Sequence, residues 1–278
     1  MEIEVSRLVP GMVLHEDVVG RSGKTIVPKN IPLTKTHIEF MEKFLIEKVS
    51  IPPSLFNIAE QEINDKEVTL ADFAERAINQ YKQMFAAWKN SVPINMYEVR
   101  RIFMPFFEQV VEEPMNDIYV SFQSGPIEEQ LYYEHVLSTV TAIHLAKELY
   151  EDKKDWLQVG FAAILSHSGK AKLKVIDVNT DDYPLYPLYS YRMVESITTL
   201  TKQAKVAVLQ HQERLDGSGF PTQVTDDKIH PCAQIIGLGH LYSEQDLITN
   251  RDKLLFIEEQ ANRFDRDILH ALKNVMEE

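Results

Sequence analysis

Residues 211–221, HQERLDGSGFP, constrain the fold and the function more than any other stretch of this sequence. Gly217 and Gly219 allow the positive φ angles of a tight loop, and Pro221 restricts the backbone where the loop ends. Taken alone, an Asp-Gly-Ser-Gly run is typical of an ordinary loop. Its meaning depends on a second stretch upstream, residues 162–170, which read AAILSHSGK. The secondary structure predicted for the rest of the chain determines which elements carry these two stretches.

Composition limits the classes of partner. The chain has 278 residues, enough for one large domain or two modest ones. A formal net charge of −13 makes a nucleic acid or an anionic membrane a poor partner, because clustered Lys and Arg bind both.

The single cysteine, Cys232, excludes an internal disulfide and a zinc site built on several Cys. No run approaches the ~18–20 apolar residues that span a bilayer, and the N-terminus does not resemble a secretory signal. These features predict a soluble cytoplasmic protein.

The N-terminal residues 1–55 predict a small β-rich module. Turn signals at Pro10-Gly11 and at residues 21–24 separate short apolar runs. Thr34 is the predicted N-cap of a following helix, whose apolar stripe is Ile38, Met41 and Leu45. Pro52-Pro53 is predicted to end the module.

The remainder of the chain is predicted to be helical. Apolar residues recur every three or four positions over 72–89, 96–111, 130–150, 156–166, 186–200, 204–210, 231–241 and 265–275. Pro105 predicts a kink or a break in the second of these helices, and Asp265 is a candidate N-cap of the last. Strand patterns are scarce after residue 55. We therefore expect connecting helices over 56–125 and a helical domain over 126–278.

The two quoted stretches resemble HD-GYP proteins of the HD superfamily. Residues 211–221 resemble the motif HHExxDGxGYP, and residues 162–170 stand where the family has AxLL followed by HDxGK. Phe264-Asp265 resembles the family's FDP, and residues 8–34 resemble a small module that often precedes these domains. The resemblance implies a mainly α fold, an HD-superfamily helical bundle with a small N-terminal α+β or β-rich domain. It also implies a metal-dependent cyclic di-GMP phosphodiesterase ancestry.

The metal ligands implied by this resemblance are mostly replaced. The seven ligand positions correspond to His135, Ser166, His167, Tyr186, His211, Gln212 and His240. Only His135 and His211 keep the family's residue type, and the spacing around His135 departs from the family pattern. The Asp that bridges the two metals in the family is replaced by His167. A two-metal phosphodiesterase needs several ligands that converge on ions about 4 Å apart, so we expect no catalytic residues and no metal.

Two interpretations of the histidines remain. His135, His167, His211 and His240 could gather around the old site and bind one transition metal, Fe, Mn or Zn. Alternatively, they are buried imidazoles with hydrogen-bond partners in a vacated site.

The signature loop is better kept than the metal site. It comprises Glu213, Asp216, Gly217, Gly219, Phe220 and Pro221. Phe220 stands in place of the family's Tyr and lacks its hydroxyl, while Glu213 and Asp216 are expected to organise the loop. In the family this loop is associated with contacts to diguanylate cyclase domains, and such contacts need a shape but no metal.

Several residues are candidates for contacting an anionic ligand. The lysine of HDxGK lies near the substrate phosphate in the family and corresponds to Lys170, which could equally be a solvated surface residue. The other candidates are Arg214, Asp216, Arg251 and Lys253.

Three functional hypotheses follow. The first is a catalytically inactive HD-GYP homologue that serves as a signalling, interaction or ligand-binding module in cyclic dinucleotide signalling, docking a diguanylate cyclase-type or other signalling protein. The second is a divergent metal-dependent phosphodiesterase with a rearranged His site. In the third, the vacated pocket binds cyclic di-GMP through Lys170 and Arg214. The resemblance also makes a homodimer a reasonable expectation.

Overall fold

A computed structural model describes residues 2–5, 8, 12, 14–20, 25–29, 33, 35–44, 46, 48–51, 69–122, 129–244 and 250–277. The chain divides into two compact units, Met1–Val68 and Thr69–Glu278. Each unit has its own cluster of buried apolar side chains. The helices between residues 69 and 125 belong to the larger unit.

The first unit is a small module with short antiparallel strand pairs, as predicted. Strand β1 (Glu2–Glu4) pairs with β4 (Lys48–Ser50), and β2 (Val18–Val19) pairs with β3 (Thr25–Val27). Helix α1 spans Lys35–Lys43. The core of this first unit includes Leu14, Val27, Leu33, Met41 and Ile51. Thr34 and Leu45, the predicted N-cap and the end of the apolar stripe, lie outside the described residues.

The second unit is helical, which confirms the predicted fold class. Its helices are α2 (Leu70–Lys89), α3 (Met96–Glu112), α4 (Met115–Ser121), α5 (Gln130–Leu149), α6 (Lys153–Ser166), α7 (Tyr186–Val194), α8 (Lys202–Gln210), α9 (Pro231–Ser243), α10 (Asn250–Glu259) and α11 (Arg266–Glu277). Short 3-10 turns span Ser168–Lys172, Tyr183–Leu185 and Asp226–Lys228. None of the described helices is both long enough and apolar enough to cross a bilayer.

Most predicted helices are present, with differences at specific points. Helix α3 runs through Pro105 without a break. The helix expected over 186–200 ends at Val194, because residues 195–200 hold Ser, Ile and Thr, which are weak helix formers. Helices α4 and α10 were not predicted. Asp265 caps α11 as predicted, since its Oδ1 accepts a hydrogen bond from the Asp267 backbone N–H at 2.8 Å.

Helix α5 is the central element of the second unit. Residues 138–146 along it are all buried, and it packs against α6, α9 and α11 as well as α2 and α3. On α2, Trp88 lies edge-on to Tyr81, with ring centroids 6.0 Å apart. Tyr81 in turn contacts His135 of α5, with ring centroids 5.4 Å apart, so the core of this unit extends from α2 to α5.

Candidate functional site

Four histidines meet inside the second unit. His135 lies near the start of α5, His167 follows the end of α6, His211 follows α8 and His240 lies near the end of α9. Each is at most 3% exposed. The His167 ring is central, with centroid distances of 3.9 Å to His135, 4.4 Å to His240 and 5.1 Å to His211. These four side chains are called the histidine cluster below.

Two glycines of α9 allow this close approach. A Cβ on Gly239 would lie 2.8 Å from the Ser138 carbonyl oxygen of α5. A Cβ on Gly237 would lie 2.3 Å from the His211 carbonyl oxygen. Real side chains do not tolerate such distances, so both positions require glycine for packing. The tight contact between α9 and α5 brings His240 beside His135 and His167.

The hydrogen bonds of Ser166 fix the tautomer of His167. The Ser166 hydroxyl donates its single proton to the Ala163 carbonyl at 2.8 Å. The 3.1 Å contact between Ser166 Oγ and His167 Nδ1 therefore requires that Nδ1 carries the proton and donates it. His167 Nε2 is then an unprotonated nitrogen, and it is buried without a hydrogen-bond partner.

The lone pair of His211 is occupied by a tyrosine. His211 Nδ1 lies 2.8 Å from the Val208 carbonyl and must donate to it, because a carbonyl only accepts. His211 Nε2 therefore accepts the 3.0 Å hydrogen bond from the Tyr186 hydroxyl. Burial holds the pKa of Tyr186 well above its usual range, so the phenol keeps its proton. Tyr186 stands where the resemblance implies a ligand His.

Lys170 points into the cluster. It lies on the 3-10 turn Ser168–Lys172, is only 3% exposed, and has its Nζ 3.3 Å from His135 Nε2. The ammonium also faces the ring of Tyr186, 5.0 Å from the centroid. Burial lowers the pKa of Lys170 to about 8, while the negative charges of Glu244 and Glu134 act in the opposite direction. Lys170 is therefore a buried cation and not a solvated surface residue.

The position of Lys170 is set by close packing of its turn against α7. Ser190 Oγ accepts a hydrogen bond from the Gly169 backbone N–H at 2.8 Å and donates to the Ser166 carbonyl at 2.6 Å. A Cβ on Gly169 would lie 2.1 Å from the Tyr186 carbonyl oxygen. The Gly-Lys pair of this stretch is thus held rigidly, with the lysine directed inward.

All imidazoles of the cluster are neutral near pH 7. Burial, with the positive charge of Lys170 as a further cause, holds the pKa of His135 and His240 well below the usual range. Burial also lowers the pKa of His167 well below that range and that of His211 to about 3.

His240 Nδ1 lies 3.3 Å from Glu244 Oε1 without hydrogen-bond geometry, and both ring nitrogens of His240 are buried without a hydrogen-bond partner. Burial raises the pKa of Glu244 to about 7.

The donor atoms do not fit the two-metal centre that the family resemblance implies. The nitrogens of His135, His167 and His240 lie within 4.8 Å of one another, which suits one transition metal. Among the described residues at the ligand positions that the resemblance implies, His211 is bonded to Tyr186, and histidines stand at both Asp positions, 167 and 240, so these positions supply no carboxylate for a second metal. His135 Nε2 is in contact with the ammonium of Lys170.

The signature loop is ordered by its own side chains. Glu213 Oε1 accepts hydrogen bonds from the Thr222 backbone N–H at 2.7 Å and hydroxyl at 2.8 Å. Asp216 is exposed, and its Oδ1 accepts from the Ser218 N–H at 2.9 Å. Gly217 has a φ of +76°, as expected for a tight loop, and a Cβ on Gly219 would lie 2.3 Å from the Gln212 carbonyl oxygen. These contacts agree with an organising role for Glu213 and Asp216.

The predicted ligand-binding residues that the structure describes, Lys170, Arg214 and Asp216, do not share one exposed surface. Arg214 is 2% exposed, donates to the carbonyls of His211 and Glu213, and lies over the Phe264 ring at 4.9 Å. Asp216 lies at the exposed end of the loop. Arg251 and Lys253 are on α10, but their side chains lie outside the described residues.

Two participants in the site are not among the predicted site residues. Tyr81 contacts His135 Nδ1 at 2.9 Å through its hydroxyl, and Glu244 lies beside His240. Tyr81 lies in the apolar stripe of its helix, so its sequence position indicated only core packing. Glu244 follows a predicted helix end and carried no signal of its own.

Comparisons with known proteins agree with this architecture. The family model described as HD domain matches residues 127–268. A search of curated proteins finds a cyclic di-GMP phosphodiesterase, PdeB of Borreliella burgdorferi, at 24% identity over 127 residues. That alignment covers 43% of this chain and 33% of the relative, so this chain matches about a third of the relative's length.

A solved structure shares the fold over the whole chain. Bd1817, a HDG"Y"P protein from Bdellovibrio bacteriovorus, aligns with a TM-score of 0.60 at 12% sequence identity. The alignment covers 100% of this chain and 99% of that protein.

Proposed function

We propose that this chain, which belongs to the HD domain family, is a catalytically inactive member that acts as an interaction or ligand-binding module in cyclic dinucleotide signalling. The link to cyclic dinucleotides rests on the similarity to PdeB, whose name states that substrate. The ordered signature loop supports a retained recognition role, and the residues at the ligand positions implied by the resemblance support a loss of turnover. We therefore expect the chain to keep a recognition role without turnover.

One observation carries the loss of catalysis. The Tyr186 hydroxyl donates to His211 Nε2, so the retained histidine of the loop has no free lone pair for a metal. A phenol with a raised pKa is itself a poor ligand, because metal ligands must be deprotonated. In two-metal phosphodiesterases the metal pair activates water and neutralises the phosphate, and we expect neither role to be filled here.

The test combines metal analysis with an activity assay. Protein purified without chelators is analysed for bound metal and assayed with cyclic di-GMP in added manganese or iron. We expect no stoichiometric metal and no product, while an active cyclic di-GMP phosphodiesterase in parallel shows that product is detected. Metal-dependent turnover that disappears in His135→Ala would overturn the proposal.

A role in binding a protein is better supported than a role in binding a dinucleotide through Lys170 and Arg214. The signature loop is ordered by its own side chains and exposes Asp216, whereas Lys170 and Arg214 are only 3% and 2% exposed. Calorimetric titration with cyclic di-GMP separates the two forms. Binding that is lost in Lys170→Ala would favour the pocket, and absence of binding would favour protein recognition.

A second candidate function has its own supporting observation. The unpartnered nitrogens of His167 and His240 are free donors for one metal, as a divergent hydrolase would need. About one equivalent of Fe, Mn or Zn in the purified protein, together with slow hydrolysis, would favour this alternative.

A further inference from the structure

The histidine cluster contains a nearly complete mononuclear metal site that is interrupted by one side chain. His167 Nε2 and His240 Nε2 are buried without partners, and the donor atoms of His135, His167 and His240 lie within 4.8 Å of one another. Buried imidazole nitrogens normally find a hydrogen bond or a metal. Three imidazoles with one further position are a donor set that binds zinc and cobalt.

The remaining lone pair of this set is taken by Lys170. An ammonium has donors only, so the 3.3 Å contact requires His135 Nε2 to accept from Lys170 Nζ. His135 Nδ1 must then carry the proton and donate to the Tyr81 hydroxyl at 2.9 Å. A metal bound to His135 would stand about 2.1 Å from the same Nε2, along the same lone pair.

We propose that Lys170 is the resident cation of the cluster, standing in for a metal ion, and that its side chain blocks a three-histidine transition-metal site formed by His135, His167 and His240. One lone pair cannot serve the ammonium and a metal together, and the two cations would also repel each other. The lysine is only 3% exposed, and the turn that carries it is packed against α7. The inference rests on the proposed function, since it explains how the fold keeps these imidazoles without a metal.

The test is cobalt binding by Lys170→Met, which keeps the chain length and removes the charge. Co²⁺ in a site of imidazole nitrogens gives visible absorption bands, so binding is read without any activity. We expect Lys170→Met to bind about one equivalent of Co²⁺, displaceable by zinc, and wild-type protein to bind at least tenfold less. Adding His240→Asn to Lys170→Met should abolish the bands.

Lys172→Met is the matched control. Lys172 lies on the same 3-10 turn, but its Nζ donates to the Trp88 carbonyl at 3.0 Å and does not reach the cluster. This variant should bind no more cobalt than the wild type. Circular dichroism of each variant establishes that the protein is folded, and Lys170→Gln is a second neutral variant if Lys170→Met does not fold.

The outcomes separate this inference from the proposed function. A folded neutral Lys170 variant that binds no cobalt overturns the blocked site and leaves the inactive-module proposal standing. Wild-type protein that binds cobalt as tightly as Lys170→Met also overturns the blocking role. If wild-type protein were purified with tightly bound metal and hydrolysed cyclic di-GMP, that result would overturn the proposed function instead.

Discussion

Tyr186 and His211 are joined by a hydrogen bond between two buried side chains. The Tyr186 hydroxyl satisfies His211 Nε2, while His211 Nδ1 is satisfied by the backbone of α8. This pair stabilises the folded chain without a metal.

Removing that hydroxyl should therefore destabilise the protein. In Tyr186→Phe, His211 Nε2 becomes a buried acceptor without a partner, and we expect the free energy of unfolding to fall by about 1–3 kcal/mol. Chemical denaturation measures the change. Tyr191→Phe, on the same helix, is the control and should stay within about 0.5 kcal/mol of wild type. Equal stability of Tyr186→Phe and wild type would argue against the assigned hydrogen bond.

The buried histidines also predict a pH dependence of stability. Burial lowers the folded-state pKa of His135, His144, His167, His211 and His240 below the ordinary value of 6.5, for His144 to about 4. In the unfolded chain they take up protons as the pH falls through 6.5, whereas in the folded chain they stay neutral. The unfolded state thus binds more protons, and stability falls as the pH falls below 6.5.

Each such histidine adds a slope of up to about 1.4 kcal/mol per pH unit between its two pKa values. Denaturation at a series of pH values from 7 to 5 should show a steep loss of the free energy of unfolding. His144→Leu removes one buried titrating group and should lower that slope relative to the wild type. A flat profile over this range would contradict the burial of neutral imidazoles.

At the scale of elements, the contact between α5 and α9 determines whether the cluster forms. Gly239→Ala would place a Cβ 2.8 Å from the Ser138 carbonyl oxygen, so one helix must move away from the other. Overpacking of this kind costs about 1–3 kcal/mol. Ser243→Ala, on the same helix, removes only an intrahelical hydrogen bond to the His240 carbonyl and serves as the control.

Gly239→Ala should also change the geometry of the histidine cluster. Because His240 follows Gly239 directly, separating the helices should also move its ring away from His167. Histidine ring signals in NMR spectra would report that shift. Unchanged ring signals and unchanged stability in Gly239→Ala would mean that the two helices are less closely packed than described.

The elements themselves were largely predictable from sequence, and the site was partly so. Helical periodicity predicted α2, α3, α5, α6, α8, α9 and α11, because each presents an apolar face to a common core. It missed α4, which is only seven residues long. The gathering of the four histidines followed from the family resemblance. The inward turn of Lys170 and the part played by Tyr81 depend on contacts between distant segments, which periodicity does not encode.

At the scale of the whole molecule, two separate cores predict two independently folding units. A fragment comprising residues 69–278 keeps all residues of the larger core and the histidine cluster. We expect it to unfold cooperatively, with near-native circular dichroism per helical residue. Its Tyr186→Phe variant should lose as much stability as in the full chain. A fragment without cooperative unfolding would show that the larger core does not fold without residues 1–68.

The placement of the aromatic residues decides what an optical experiment on this protein observes. Both tryptophans, Trp88 and Trp156, belong to the larger unit, and residues 1–68 contain none. Indole emission therefore reports on the larger unit. Trp88 touches Tyr81, whose hydroxyl is bonded to His135, so that emission is an intrinsic reporter of events at the histidine cluster. A transition seen by far-ultraviolet dichroism but silent in fluorescence belongs to residues 1–68.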